Sequence, residues 1–118
     1  MKSASLGESL WHAARGIGES LRTERNLRLH VAAALAAAAV GWYCALTRPE
    51  WCLLLLAMAV VFVAELLNTA VEHAVDLLSP SYSEAARRAK DAAAGAVLVA
   101  ALFAAAVGCL LFGGRLFT

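Results

Sequence analysis

The chain has 118 residues, of which 62% are hydrophobic and 16% charged, against roughly 45–50% apolar residues in soluble domains. That balance excludes an ordinary soluble enzyme and places the chain in lipid. A formal net charge of +1, with no basic stripe interleaved with aromatics, speaks against nucleic acid as a partner.

The opening segment MKSASLGESLWHAARG lacks a continuous apolar core followed by a small-residue cleavage site. It is therefore not a secretory signal peptide and is expected to stay on the mature protein. Leu6, Leu10, Trp11, Ala14, Ile17, Leu21 and Leu27 recur at helical spacing, interrupted by Arg15, Glu19, Arg22, Glu24 and Arg25. The pattern predicts an amphipathic helix over about residues 5–28, lying on the membrane surface.

Residues 31–47 carry no charge and would span roughly 25 Å as a helix, so a first membrane helix is expected over about 29–47. Trp42, Tyr43 and Trp51 bracket Arg48-Pro49-Glu50, a pattern that suggests an aromatic belt around a short turn. A second membrane helix follows over about 51–78, with Glu65, Asn68, Glu72 and Asp76 in its far half, and stops at Ser79-Pro80. The third, over about 84–114, carries Arg87, Arg88, Lys90 and Asp91 in its first turns and is uncharged from Ala92 to Gly114. These elements form one domain, 1–118. Cys44, Cys52 and Cys109 lie in apolar stretches without CxxC or Cys/His metal spacing and read as apolar filler.

Lys2, Arg15, Arg22, Arg25 and Arg28 precede the first span, and Arg87, Arg88 and Lys90 lie in the second connection, whereas Arg48 and Arg115 alone occupy the opposite side. The excess puts the N-terminus and the 79–91 connection in the cytoplasm, where ATP is available.

On a helix, Glu65, Asn68, Glu72 and Asp76 fall within an arc of roughly 80°. They extend about 16 Å along the axis, so one stripe reaches both a water-soluble and a membrane-embedded reactant. An ionised carboxylate facing lipid costs at least about 2.5–3.5 kcal/mol, so cations must meet these acids. A divalent metal, the arginines of the surface helix, and Arg87, Arg88 or Lys90 are the candidates. Carboxylates without a Cys or His cluster favour Mg²⁺ over zinc. Structural ion pairing and a proton-coupled transporter would use the same stripe, and periodicity does not separate them. No GxxxxGK[ST] loop, GxGxxG loop or HRD and DFG pair occurs, which excludes the soluble kinase architectures.

The run Glu65-Leu-Leu-Asn-Thr-Ala-Val-Glu72, with Asp76, Ala89-Lys90-Asp91 and Ala94-Gly95-Ala96-Val97, resembles the signature of the prokaryotic diacylglycerol kinase family. Upstream, Thr23-Glu24-Arg25-Asn26-Leu27-Arg28-Leu29-His30 resembles the end of that family's surface helix, especially in its undecaprenol kinase branch. The likeness covers about Ala14 to Phe112. It implies an all-α integral membrane protein with an N-terminal surface helix and three transmembrane helices, assembled as a homotrimer with active sites shared between protomers.

By the same resemblance, Glu65 is the general base that takes the proton of the lipid hydroxyl, a role that burial favours. Glu24 and Glu72 are the Mg²⁺ carboxylates. Asn68 stands near the transferred phosphate, Lys90 steadies phosphate charge, Asp91 matches a nucleotide-site position, and Tyr82 matches the adenosine contact, where a plain loop aromatic is the bland alternative. Asp76 either joins the site or only pairs with arginine. His12 has no match, His73 reads as a packing residue, and His30 is a candidate substrate contact.

The implied activity is phosphorylation of a membrane lipid alcohol with ATP and Mg²⁺, diacylglycerol to phosphatidic acid. The alternative is an undecaprenol kinase making undecaprenyl phosphate, toward which TERNxRxH and SPxY lean. A small cation-coupled transporter using Glu65 is the alternative of another class.

Overall fold

Ser5 begins the first helix by accepting a hydrogen bond from the Glu8 amide at 3.2 Å, so a short hydroxyl side chain satisfies one of the first-turn donors. The computed structural model describes residues 5–117 and consists of four helices, α1 (Leu6–Thr23), α2 (Arg25–Tyr43), α3 (Arg48–Leu78) and α4 (Glu84–Leu116). Lys2, one of the basic residues used for orientation, lies outside the described residues.

The continuous surface helix expected to Arg28 instead breaks at Glu24, whose backbone is extended at φ −102° and ψ 106°. No glycine or proline causes the break. The Arg28 guanidinium reaches back to donate to the carbonyls of Leu21 and Arg22 at 2.9 and 2.8 Å, closing the last turn of α1 and setting the corner. Arg25 to Arg28 thus open α2, and Leu27 is buried beneath the corner.

At its other end α2 stops at Tyr43, earlier than the expected Thr47. The Leu46 amide bonds the Gly41 carbonyl and the Ala45 amide bonds the Trp42 carbonyl, both at 3.2 Å, a Schellman closure in which Ala45 takes a positive φ of 53°. Thr47 and Glu50 then form a reciprocal capping box, and Pro49 sits in the first turn, so α3 starts at Arg48. Arg48-Pro49-Glu50 is therefore helix, and the turn is residues 44–47.

α3 and α4 pack against each other most extensively, and α2 and α1 pack on α3. The apolar core lies at the end near the α2–α3 turn, where Leu46, Leu54 and Leu111 meet Trp51, Met58, Val107 and Phe112. Arg115 closes that end by reaching Glu50 at 2.8 Å. Outward faces keep large apolar side chains exposed, among them Leu56, Val63, Leu67, Leu98 and Phe103. Among the described residues two helices, α3 and α4, are long and apolar enough to cross a membrane. α2, at 19 residues with Arg25 and Arg28 in its first turn, falls short of that measure.

Candidate active site

α3 carries the acidic stripe, and its 31 residues run uninterrupted from the apolar end to the polar one. Glu65 stands midway and is 3% exposed. Among the described residues its polar contact is the His30 imidazole of α2, with Nε2 3.2 Å from Oε1. Among the described residues no arginine or lysine meets this carboxylate; a histidine does. Its signal in the sequence was a polar ring heading an otherwise alanine-rich helix, two residues after Arg28.

One turn on, the Asn68 amide donates to Glu72 Oε1 at 3.5 Å, and Glu72 is half-buried. Asn68 Oδ1 is buried with no partner among the described residues, an acceptor left for a cation or a donor. Beside Asn68 an apolar groove of about 880 Å³ runs between α3 and α4, along Val60, Ala64, Val71, Gly95, Ala96 and Val99.

Asp76 pairs with Lys90 of α4 at 2.5 Å, and Lys90 also lies in the field of Glu72. Ser83 caps α4 by accepting from the Ala86 amide at 3.1 Å, so the connection is tight and Lys90 faces α3. Arg87 bridges Glu84 and Asp91 at 2.8 and 2.7 Å. Tyr82 hydrogen bonds to Glu84, which pushes its hydroxyl pKa above the ordinary value. Asp76, Tyr82, Arg87, Lys90 and Asp91 line one cavity of about 300 Å³ at this polar end. Three of the expected site residues, Tyr82, Lys90 and Asp91, are thus brought together, with Asp76 beside them.

Glu24 stands apart from that cavity. It is half-buried at the α1–α2 corner and accepts from the Thr23 hydroxyl at 3.4 Å. The end of α1 crosses α3, enclosing about 540 Å³ between His12, Glu19, Arg22, Thr23, Thr69 and His73. His12 is half-buried there, with Nδ1 unpartnered among the described residues. Among the described residues no group of three His, Cys, Asp or Glu side chains converges as a ready metal cage.

A buried carboxylate, two further acids and an amide along one face of α3, met at the polar end by a lysine of α4, suit proton abstraction from an alcohol next to a phosphate site. The profile of the family described as prokaryotic diacylglycerol kinase matches residues 11–112. An undecaprenol kinase of Bacillus subtilis is 47% identical over 105 residues, covering 89% of this chain and 85% of that protein. A diacylglycerol kinase of Synechocystis sp. is 42% identical over 105 residues, covering 87% of this chain and 60% of that protein. A diacylglycerol kinase of Helicobacter pylori is 32% identical over 98 residues, covering 83% of this chain and 77% of that protein.

Proposed function

The chain belongs to the prokaryotic diacylglycerol kinase family and is a lipid kinase, and we propose that it transfers the γ-phosphate of Mg-ATP to undecaprenol. The observation that carries the mechanism is Glu65, a carboxylate 3% exposed on the helix that leads on to Asn68, Glu72 and the Asp76–Lys90 pair. The lipid O–H proton passes to Glu65 as its oxygen bonds the γ-phosphorus. The bond to the β–γ bridging oxygen breaks, and ADP leaves with the electron pair. Lys90 offsets charge on the phosphates, and Tyr82 and Asp91 hold the nucleotide.

Magnesium binds through one or two carboxylates and completes its shell with phosphate oxygens and water. Glu72 and Glu24 would supply such an oxygen-only set, and Asn68 Oδ1, next to Glu72 and unpartnered among the described residues, would add an acceptor. The metal would neutralise phosphate charge; the side chains do the orienting and the proton transfer.

In this reading α2 is a third membrane helix, roughly 28 Å long, tucked beside α3 with its arginines at the cytoplasmic surface. α1 lies on the inner membrane with Leu6, Leu10, Trp11 and Ile17, all exposed in the single chain, in the acyl boundary. Copies assemble as a homotrimer whose exposed apolar faces meet, and neighbouring protomers complete each site.

Undecaprenol is favoured because the relative so named is 47% identical over nearly the whole chain. Diacylglycerol is the second reading, supported by the Synechocystis relative. Purified protein in bilayer discs, given γ-labelled ATP and each lipid alcohol side by side, should label undecaprenol with the higher kcat/KM, and chelation of Mg²⁺ should stop the reaction. Preferential labelling of diacylglycerol reverses the acceptor assignment; labelling of neither lipid removes the proposal.

A further inference from the structure

Ionising a carboxylate out of water is costly, and burial by itself favours the protonated form, which cannot act as a base. Glu65 is buried, yet the catalytic role given to it above needs the anion. His30 is the side chain that resolves this. Its Nε2 lies 3.2 Å from Glu65 Oε1, and 27% of its side chain remains exposed. His30 also lines an apolar cavity of about 320 Å³ faced by Ala33, Ala37, Val61, Phe62 and Ala104, none of which competes for the ring.

We propose that His30 is a positioning residue for the general base: its Nε2–H donates to Glu65 Oε1, keeps the carboxylate ionised, and leaves Oε2 to accept the lipid hydroxyl proton. The inference rests on the reading of Glu65 as base.

The other groups around the pair are accounted for. Arg28 at the α2 corner is committed to the Leu21 and Arg22 carbonyls, with Glu24 and Arg25 beside it. On α3, Asn68 and Glu72 bond each other further along. His12, Glu19 and Arg22 of α1, with His73, face the separate cavity next to Thr69. The α4 residues at the His30 cavity are Ala101, Ala104, Ala105, Gly108 and Phe112, none titratable.

The test compares assembled wild type, His30→Ala, His30→Gln and Glu65→Gln in kcat, KM and pH profile. His30→Ala should lower kcat roughly 10- to 100-fold with KM for Mg-ATP nearly unchanged. It should also move the acid limb of the kcat profile to higher pH, because a carboxylate that loses a donor gives up part of the stabilisation of its anion. His30→Gln, which keeps a donor near the Nε2 position, should recover most of kcat and return the limb. Acid limbs that superimpose on wild type in both variants overturn the proposal, because a packing role alone changes the amount of folded enzyme and not the limb. Should His30→Ala fail to assemble, ¹⁵N spectra of histidine-labelled wild type decide: a proton on Nε2 that responds to Glu65→Gln supports the contact, and a bare Nε2 overturns it. An active Glu65→Gln refutes the base reading itself, whereas an inactive one beside normal His30 variants refutes only the role of His30.

Discussion

Replacing Glu65 by Gln separates chemistry from architecture, because the amide fills the same volume and can still accept from His30. The Nε2–Oε1 contact at 3.2 Å is a hydrogen bond to a carboxylate, worth about 1.5–3 kcal/mol. Taking the carboxylate out of water costs several kcal/mol of similar size, so removing the charge should leave stability within about 1 kcal/mol of wild type. Catalysis is not compensated in this way. Loss of a general base typically removes about 10²- to 10⁴-fold in rate. Glu65→Gln should therefore form assemblies that melt near wild type and bind Mg-ATP with similar affinity, while phosphorylating lipid at most at about one hundredth of the wild-type rate. The assay is labelled-ATP turnover in bilayer discs, paired with thermal denaturation followed by size exclusion. Turnover within threefold of wild type would refute the assignment, and so would a loss of rate that follows a loss of assembled protein.

Further expectations concern the polar end and the α2–α3 turn. Lys90→Ala should raise KM for Mg-ATP and lower kcat together, about 100-fold in kcat/KM, since one charge-assisted contact to phosphate is worth roughly 1.5–3 kcal/mol; Asp76→Asn, which loses only the anchor of Lys90, should show a smaller fraction of that loss in the same kinetics. Gly41→Val should destabilise the α2–α3 hairpin by about 1–3 kcal/mol, read as a lower melting temperature. A Cβ there would lie 2.9 Å from Leu46 Cδ1 and 3.1 Å from the Trp51 ring. Ala45→Gly should do the reverse, raising stability by up to about 1 kcal/mol with unchanged turnover, because the left-handed conformation at φ 53° costs alanine more than glycine.

Helix order and the polar half of α3 were legible because composition and 3.6-residue spacing are local signals. The N-caps Ser5, Thr47 and Ser83 were equally local, each working through an amide two or three residues away, yet they were passed over, and at Thr47 the cap starts α3 at Arg48 rather than at residue 51. The other boundaries that moved did so for reasons no short window holds. The break at Glu24 depends on Arg28 turning back to the Leu21 and Arg22 carbonyls, and the early stop of α2 depends on Ala45 accepting a left-handed conformation.

At the site, one helix face was enough to gather Glu65, Asn68, Glu72 and Asp76, because residues on one rigid helix keep their mutual angles wherever it packs. Membrane character followed from composition in the same way. Which partner each acid meets was decided by the packing of α2 and α4 on α3. Lys90 rather than an arginine reaches Asp76, and His30, 35 positions away in the chain, reaches Glu65. Such pairs depend on the crossing and register of separate helices, which side-chain periodicity within each helix does not specify.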